Sequence, residues 1–162
     1  RCRMHGLRVR PVCGRTRSLQ RKAEISMIKP IVRDALFLSR PSRPANVEDQ
    51  NVIQDLKDTL RANEERCVGM AANMIGERKC ILICAIGPGS LILVNPEIVS
   101  REGRYETREG CLCHEGERPV TRYRSIRVKY LDEQFHPQER TFLGFTAQII
   151  QHEMDHFEGK LI

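Results

Sequence analysis

Two histidines four residues apart, His152 and His156, with a glutamate directly after the first, constrain this chain more than any other feature it has. Residues at i and i+4 lie on one face of a helix, so both imidazoles can then reach a single metal ion. Glu153 projects to the side, where it can hydrogen-bond a water at that ion and act as general base, then as proton donor. The apolar pattern predicts a helix over residues 142–157, with Gly159 placed to stop it. A catalytic site of this kind takes three protein ligands and keeps one position open. The fold must therefore carry a second segment to the helix.

That segment is expected upstream. Six residues follow His156, and position 162, where an extended metalloprotease motif would place its third histidine, holds Ile162. The common metalloprotease plans are thereby excluded. Upstream, Glu109-Gly110-Cys111-Leu112-Cys113-His114 reads as a glycine-containing turn between two strands. A cysteine there can present a thiolate to a metal held by the later helix, and a thiolate beside two imidazoles suits Zn or Fe(II). Cys111, Cys113 and His114 are rival donors, and spacing does not choose among them.

The rest of the chain supplies a frame. Val47, Val52, Ile53, Leu56 and Leu60 recur at helical spacing and predict an amphipathic helix over residues 47–66. Residues 67–76 bring small side chains and two glycines, the composition of a tight loop whose backbone approaches something closely. Strands are expected over 78–86 and 91–95, around the turn Gly87-Pro88-Gly89-Ser90, and over 98–107 and 125–131. The fold class is α+β: small antiparallel sheets packed around a C-terminal metal-binding helix, in a single domain over residues 27–162.

Charge and composition narrow the function further. At 162 residues, 40% hydrophobic and 30% charged, the chain has the make-up of one soluble globular domain. No stretch approaches the ~18 consecutive apolar residues of a membrane-spanning helix, so no membrane association is expected. The net charge of +6 would suggest a nucleic-acid binder if it were evenly spread. Instead, residues 1–26 hold eight basic groups against one acid, leaving 19 basic and 20 acidic groups for the rest. The body is near neutral, and no specific nucleic-acid partner is expected for it. The basic segment lacks apolar periodicity and is broken by Gly6, Pro11 and Gly14. It reads as a nucleic-acid arm, an organellar transit peptide, or upstream sequence outside the working protein; it lacks the apolar core of a secretory signal. The seven cysteines form no disulfide framework, and Cys80 and Cys84 read as small buried hydrophobes. A reducing cytoplasm is the expected setting.

Three segments in order, Gly69-Met70-Ala71-Ala72-Asn73-Met74-Ile75-Gly76, Glu109-Gly110-Cys111-Leu112-Cys113 and His152-Glu153-Met154-Asp155-His156, resemble the signature motifs of peptide deformylases. The similarity runs from about residue 27 to the C-terminus. It implies a metal-dependent hydrolase that removes the formyl group from the N-terminal methionine of newly made polypeptides and releases formate. It further implies one divalent ion, Fe(II) natively with Zn, Ni or Co as alternatives, held by Cys111, His152 and His156. Glu153 would be the acid/base, and the Leu112 backbone N–H would donate to the developing oxyanion. Val68 and Gly69 would pair with an extended peptide, with the methionine pocket drawing on Val68, Ile149 and the flank of His152. Arg118 would contact the peptide, and formyl-methionyl nascent chains would be the partners, with ribosome association as a further expectation.

Three positions depart from the family pattern. Cys67 replaces a glycine, Cys113 replaces a serine, and Met74 stands where a glutamine amide helps to hold the oxyanion. A thioether is a weak acceptor with no proton to donate, and losing one such donor typically costs ~10²–10³ in turnover. Cys113 adds a second thiol two residues from Cys111 and with it an oxidation hazard. The competing readings are a deformylase-like protein that binds metal and peptide with little or no turnover, and a nucleic-acid or ribosome-binding protein acting through residues 1–26.

Overall fold

The computed structural model describes residues 27–162. The basic segment 1–26, and every expectation attached to it, lies outside the described residues.

Helix α1 (Ala35–Leu38) is a single turn whose first N–H groups, of Leu36 and Phe37, are satisfied by the Asp34 carboxylate. A 3-10 turn (Val47–Asp49) under an Asn46 capping box leads into helix α2 (Gln50–Ala62). This helix is shorter than the periodicity predicts at both ends. Val47 lies exposed on the 3-10 turn, and the Asn63 side chain donates to the Thr59 carbonyl at 2.8 Å where α2 stops. Its apolar stripe, Val52, Ile53, Leu56 and Leu60, is buried as expected.

Five strands follow: β1 (Gly69–Ala71), β2 (Ile81–Ile86), β3 (Gly89–Cys111), β4 (His114–Leu131) and β5 (Pro137–Leu143). They form one antiparallel sheet in chain order, so each strand pairs with its neighbours in sequence. The two predicted strands 91–95 and 98–107 are one strand. Pro96, which cannot donate to a ladder, is absorbed in a register shift between Val94 and Glu97, where Asn95 takes φ +48°. The Asn95 side chain is fixed there by bonds to both the N–H and the carbonyl of Ala45. Strand β5 was not expected at all. Residues 67–76, expected as a loop, hold β1 and a 3-10 turn (Ala72–Ile75) closed by Gly76 at φ +91°.

Helix α3 (Gly144–Phe157) packs against β1, β2 and β4. Ala147 and Ile150 join the core with Leu82, Ile83, Ile126 and Val128, yet Gln151, His152, Glu153 and His156 are buried as well. A buried polar group is costly unless it is bonded. Gln151 resolves this by imitating a strand: its Oε1 accepts from the Tyr123 N–H at 2.9 Å and its Nε2 donates to the Tyr123 carbonyl at 2.8 Å. That pair fixes the helix against β4. Gly159 ends the helix at φ +75°, and its α-carbon lies so close to the Ser39 backbone that no side chain fits. The Ser42 N–H donates to the Phe157 carbonyl at 2.8 Å, joining the start of the described chain to the end of α3.

Candidate metal centre

Cys111 ends β3, and the turn Leu112–Cys113 returns the chain into β4. This hairpin end meets the middle of α3. One donor atom each from Cys111, His152 and His156 lie within 4.8 Å of one another, with Cys111 Sγ 3.4 Å from His156 Nε2. Of the three rival donors in the turn, the fold thus brings Cys111 to the two imidazoles. Cys113 is buried in the core, and His114 turns its Nδ1 to the Glu115 carbonyl at 3.2 Å.

The imidazole of His152 is aimed by Glu109. Its Nδ1 lies 2.7 Å from Glu109 Oε2, which leaves Nε2 for a metal. Glu109 in turn receives Arg122 in a two-pronged pair, Nε to Oε1 at 2.9 Å and Nη2 to Oε2 at 2.8 Å. Gln148 Nε2 donates to Oε1 at 2.9 Å, and the Tyr105 hydroxyl donates to Gln148 Oε1 at 3.1 Å. The remaining nitrogen of Arg122 bonds Asp155 Oδ2 at 2.7 Å. Sequence reasoning quoted Glu109 within a motif but gave neither it nor Arg122 a role. A signal existed: Glu109 and Cys111 are two apart on a strand and so share a face.

The electrostatics follow from these contacts. Burial works to raise the Glu109 carboxyl, but the bonds from His152 and Arg122 outweigh it and hold its pKa down at about 2. Burial opposes the charged form of His152, yet its pairing with Cys111 and Glu109 raises it to about 10. The Cys111 thiol is held far below the usual range by hydrogen bonding with Cys113 and by both histidines. The same pairing, with burial, pushes Cys113 up. Burial pushes Glu153 up to about 7, against the pull of His152 and His156.

Glu153 reaches the cleft because of Gly69. A β-carbon on residue 69 would stand 2.5 Å from Ile149 Cγ2 and 2.9 Å from Glu153 Oε1. The glutamate's other oxygen, Oε2, is buried without a partner. A thiol, two imidazoles, one of them oriented by a carboxylate, and an unpartnered buried carboxyl oxygen together fit a divalent ion of the Zn or Fe(II) kind. Cys111, His152 and Glu153 line an open cleft of about 270 Å³ together with Val68, Gly69, Met74, Leu112 and Ile149, with His156 fully buried behind them.

The structure places Arg118, expected to contact the peptide, elsewhere. It is not on this cleft: it stands opposite Glu109 in the strand register but donates to the Leu161 carbonyl at 2.5 Å, on the wall of another cavity. Arg66 and Arg108 line the cleft instead. Met74 is buried on the cleft wall, with its sulfur accepting from the Ala71 N–H at 3.4 Å. The neighbouring amide cannot replace the missing one, because Asn73 Nδ2 donates to the His156 carbonyl at 3.0 Å, behind the helix.

Residues 28–162 match the family model of polypeptide deformylase. A peptide deformylase of Clostridium beijerinckii is 55% identical over 136 residues, covering 84% of this chain and 100% of that protein. One from Aquifex aeolicus is 36% identical, covering 80% and 84%. Among solved structures, a peptide deformylase from Legionella pneumophila superposes with a TM-score of 0.74 at 34% identity, covering 83% of each chain. An actinonin-bound class I type b peptide deformylase from Acinetobacter baumannii gives 0.74 at 30% identity, covering 84% of this chain and 96% of that one.

Proposed function

The chain belongs to the polypeptide deformylase family, and from that premise we propose that it removes the formyl group from the N-terminal methionine of newly made polypeptides. Cys111, His152 and His156 hold a single divalent ion, Fe(II) natively, and residues 27–162 are the catalytic unit. When bound, the ion supplies Lewis-acid polarisation of the formyl carbonyl and acidifies the water beside it.

One observation carries the reading. Glu153 is buried at the cleft beside these three donors, with one oxygen unpartnered and a pKa pushed up to about 7 by burial. A carboxyl poised near neutral pH can take a proton from the attacking water and return it to the amine as the C–N bond breaks. Protein that had given up hydrolysis would have no use for it. The Leu112 N–H, next to Cys111, donates to the carbonyl oxygen as negative charge grows there. Strand β1 is an edge of the sheet, so the backbone at Val68 and Gly69 can take up an extended peptide as an added strand. Val68, Ile149 and the flank of His152 receive the methionine side chain. The reading carries a cytoplasmic location among formylated nascent chains.

The test is formate release from a formyl-Met peptide by oxygen-free protein loaded with Fe(II) or Ni(II). Turnover is expected, and Glu153→Ala should lower kcat by ~10²–10⁴ with the metal content unchanged. A fully metallated protein that releases no formate overturns the proposal.

A further inference from the structure

The mouth of the cleft carries charge that the hydrolysis does not use. Arg66 and Arg108 both line the cleft and both are exposed. They come to it from different elements, Arg66 from the segment before β1 and Arg108 from β3. Arg66 stands three residues before Gly69, which meets Glu153, and Arg108 three residues before Cys111, which meets His156. The carboxylates lining the same cleft cannot neutralise them. Glu109 is taken up by Arg122, His152 and Gln148, and Glu153 lies buried beside the metal donors.

The arginines are also poorly matched outside the cleft. Arg66 donates to the neutral Asn63 Oδ1 at 3.2 Å and has no ion-pair partner among the described residues. Arg108 approaches Glu117 at 3.8 Å, with both side chains more than 60% exposed, an ion pair worth little in water. Its other contact is the Glu117 carbonyl, at 3.0 Å. Both guanidinium groups are therefore available to a charge supplied by a ligand.

Resting on the deformylase reading of the site, we infer that this rim selects substrates by charge, favouring an acidic side chain at the second or third residue after the formyl group. The first side chain goes inward between Val68 and Ile149. The rest of the peptide must leave through the mouth, and a carboxylate there meets the two cations that line it. The same mouth disfavours lysine or arginine at these positions.

The test compares kcat/KM of the full-length, Ni(II)-loaded protein on three amidated peptides, formyl-Met-Asp-Ala, formyl-Met-Ala-Ala and formyl-Met-Lys-Ala, and on the corresponding series with the varied residue third. The acidic peptide should exceed the neutral one by about three- to tenfold at low salt, the lysine peptide should fall below it, and the spread should shrink in 0.5 M salt. Arg66→Glu with Arg108→Glu should invert the order, while Arg104→Glu, away from the cleft, should leave it unchanged. Equal rates on the peptides of both series, or an order untouched by the double reversal, overturns the inference. Should no peptide be turned over, the deformylase reading fails separately. Calorimetric binding of the unformylated Met-Asp-Ala and Met-Lys-Ala amides then decides the charge selection, with equal affinities overturning it.

Discussion

At Met74 the cleft wall carries a sulfur, a group with no proton to donate, and that sulfur already accepts from the Ala71 N–H. The peptide-deformylase motif that this segment resembles carries a glutamine at that position, whose amide would steady negative charge on the carbonyl oxygen. Asn73 is committed to the His156 carbonyl, so of the proposed hydrogen-bond donors only the Leu112 N–H would remain beside the ion. Met74→Gln should therefore raise kcat by tenfold or more, up to the ~10²–10³ that one such donor is worth, with KM little changed. Steady-state formate release on a formyl-Met peptide measures it. A flat response would mean that the missing amide is not what limits the rate.

At the scale of elements, the centre exists because α3 and β1 approach more closely than side chains normally permit. Gly69 makes that approach, and Gly69→Ala would drive a methyl group into Ile149 and Glu153. The helix must move or the glutamate must turn, at about 1–3 kcal/mol. The expected result is a loss of kcat well beyond any loss of melting temperature, checked by comparing the two. The same elements show what could be read in advance. Helix α3 was legible because His152, Glu153 and His156 form a local pattern with a fixed geometry. Strand β5 was not, because Pro137–Leu143 is a charged edge strand opening on proline, with Phe142 its one buried side chain. Arg122 was hidden for another reason. Arg118 stands directly opposite Glu109 in the register, yet Arg122, four residues further along β4, is the one that reaches it, and with Arg124 also close by the sequence does not choose among the three.

Across the whole molecule, one buried guanidinium ties three elements together: Arg122 of β4 holds Glu109 of β3 and Asp155 of α3. Glu109 has its folded pKa depressed to about 2 from an ordinary 4.5. Its stabilisation is therefore complete above about pH 4.5 and is lost as the pH falls toward 2, a term of about 3 kcal/mol. Chemical denaturation of the protein and of Glu109→Gln, in the same metal state, should show a gap that is widest near neutrality and closes over that acid range. A gap independent of pH would show that the carboxylate is not the group responsible. The order of elements along the chain has a consequence in time as well. Cys111 and the sheet are made first, whereas both histidines and Glu153 arrive with α3, after every strand. A ribosome that has reached β5 has made the strands and, of the three candidate metal donors, Cys111 alone. The proposed centre therefore cannot assemble until α3, the last of the described elements, has been made and can dock.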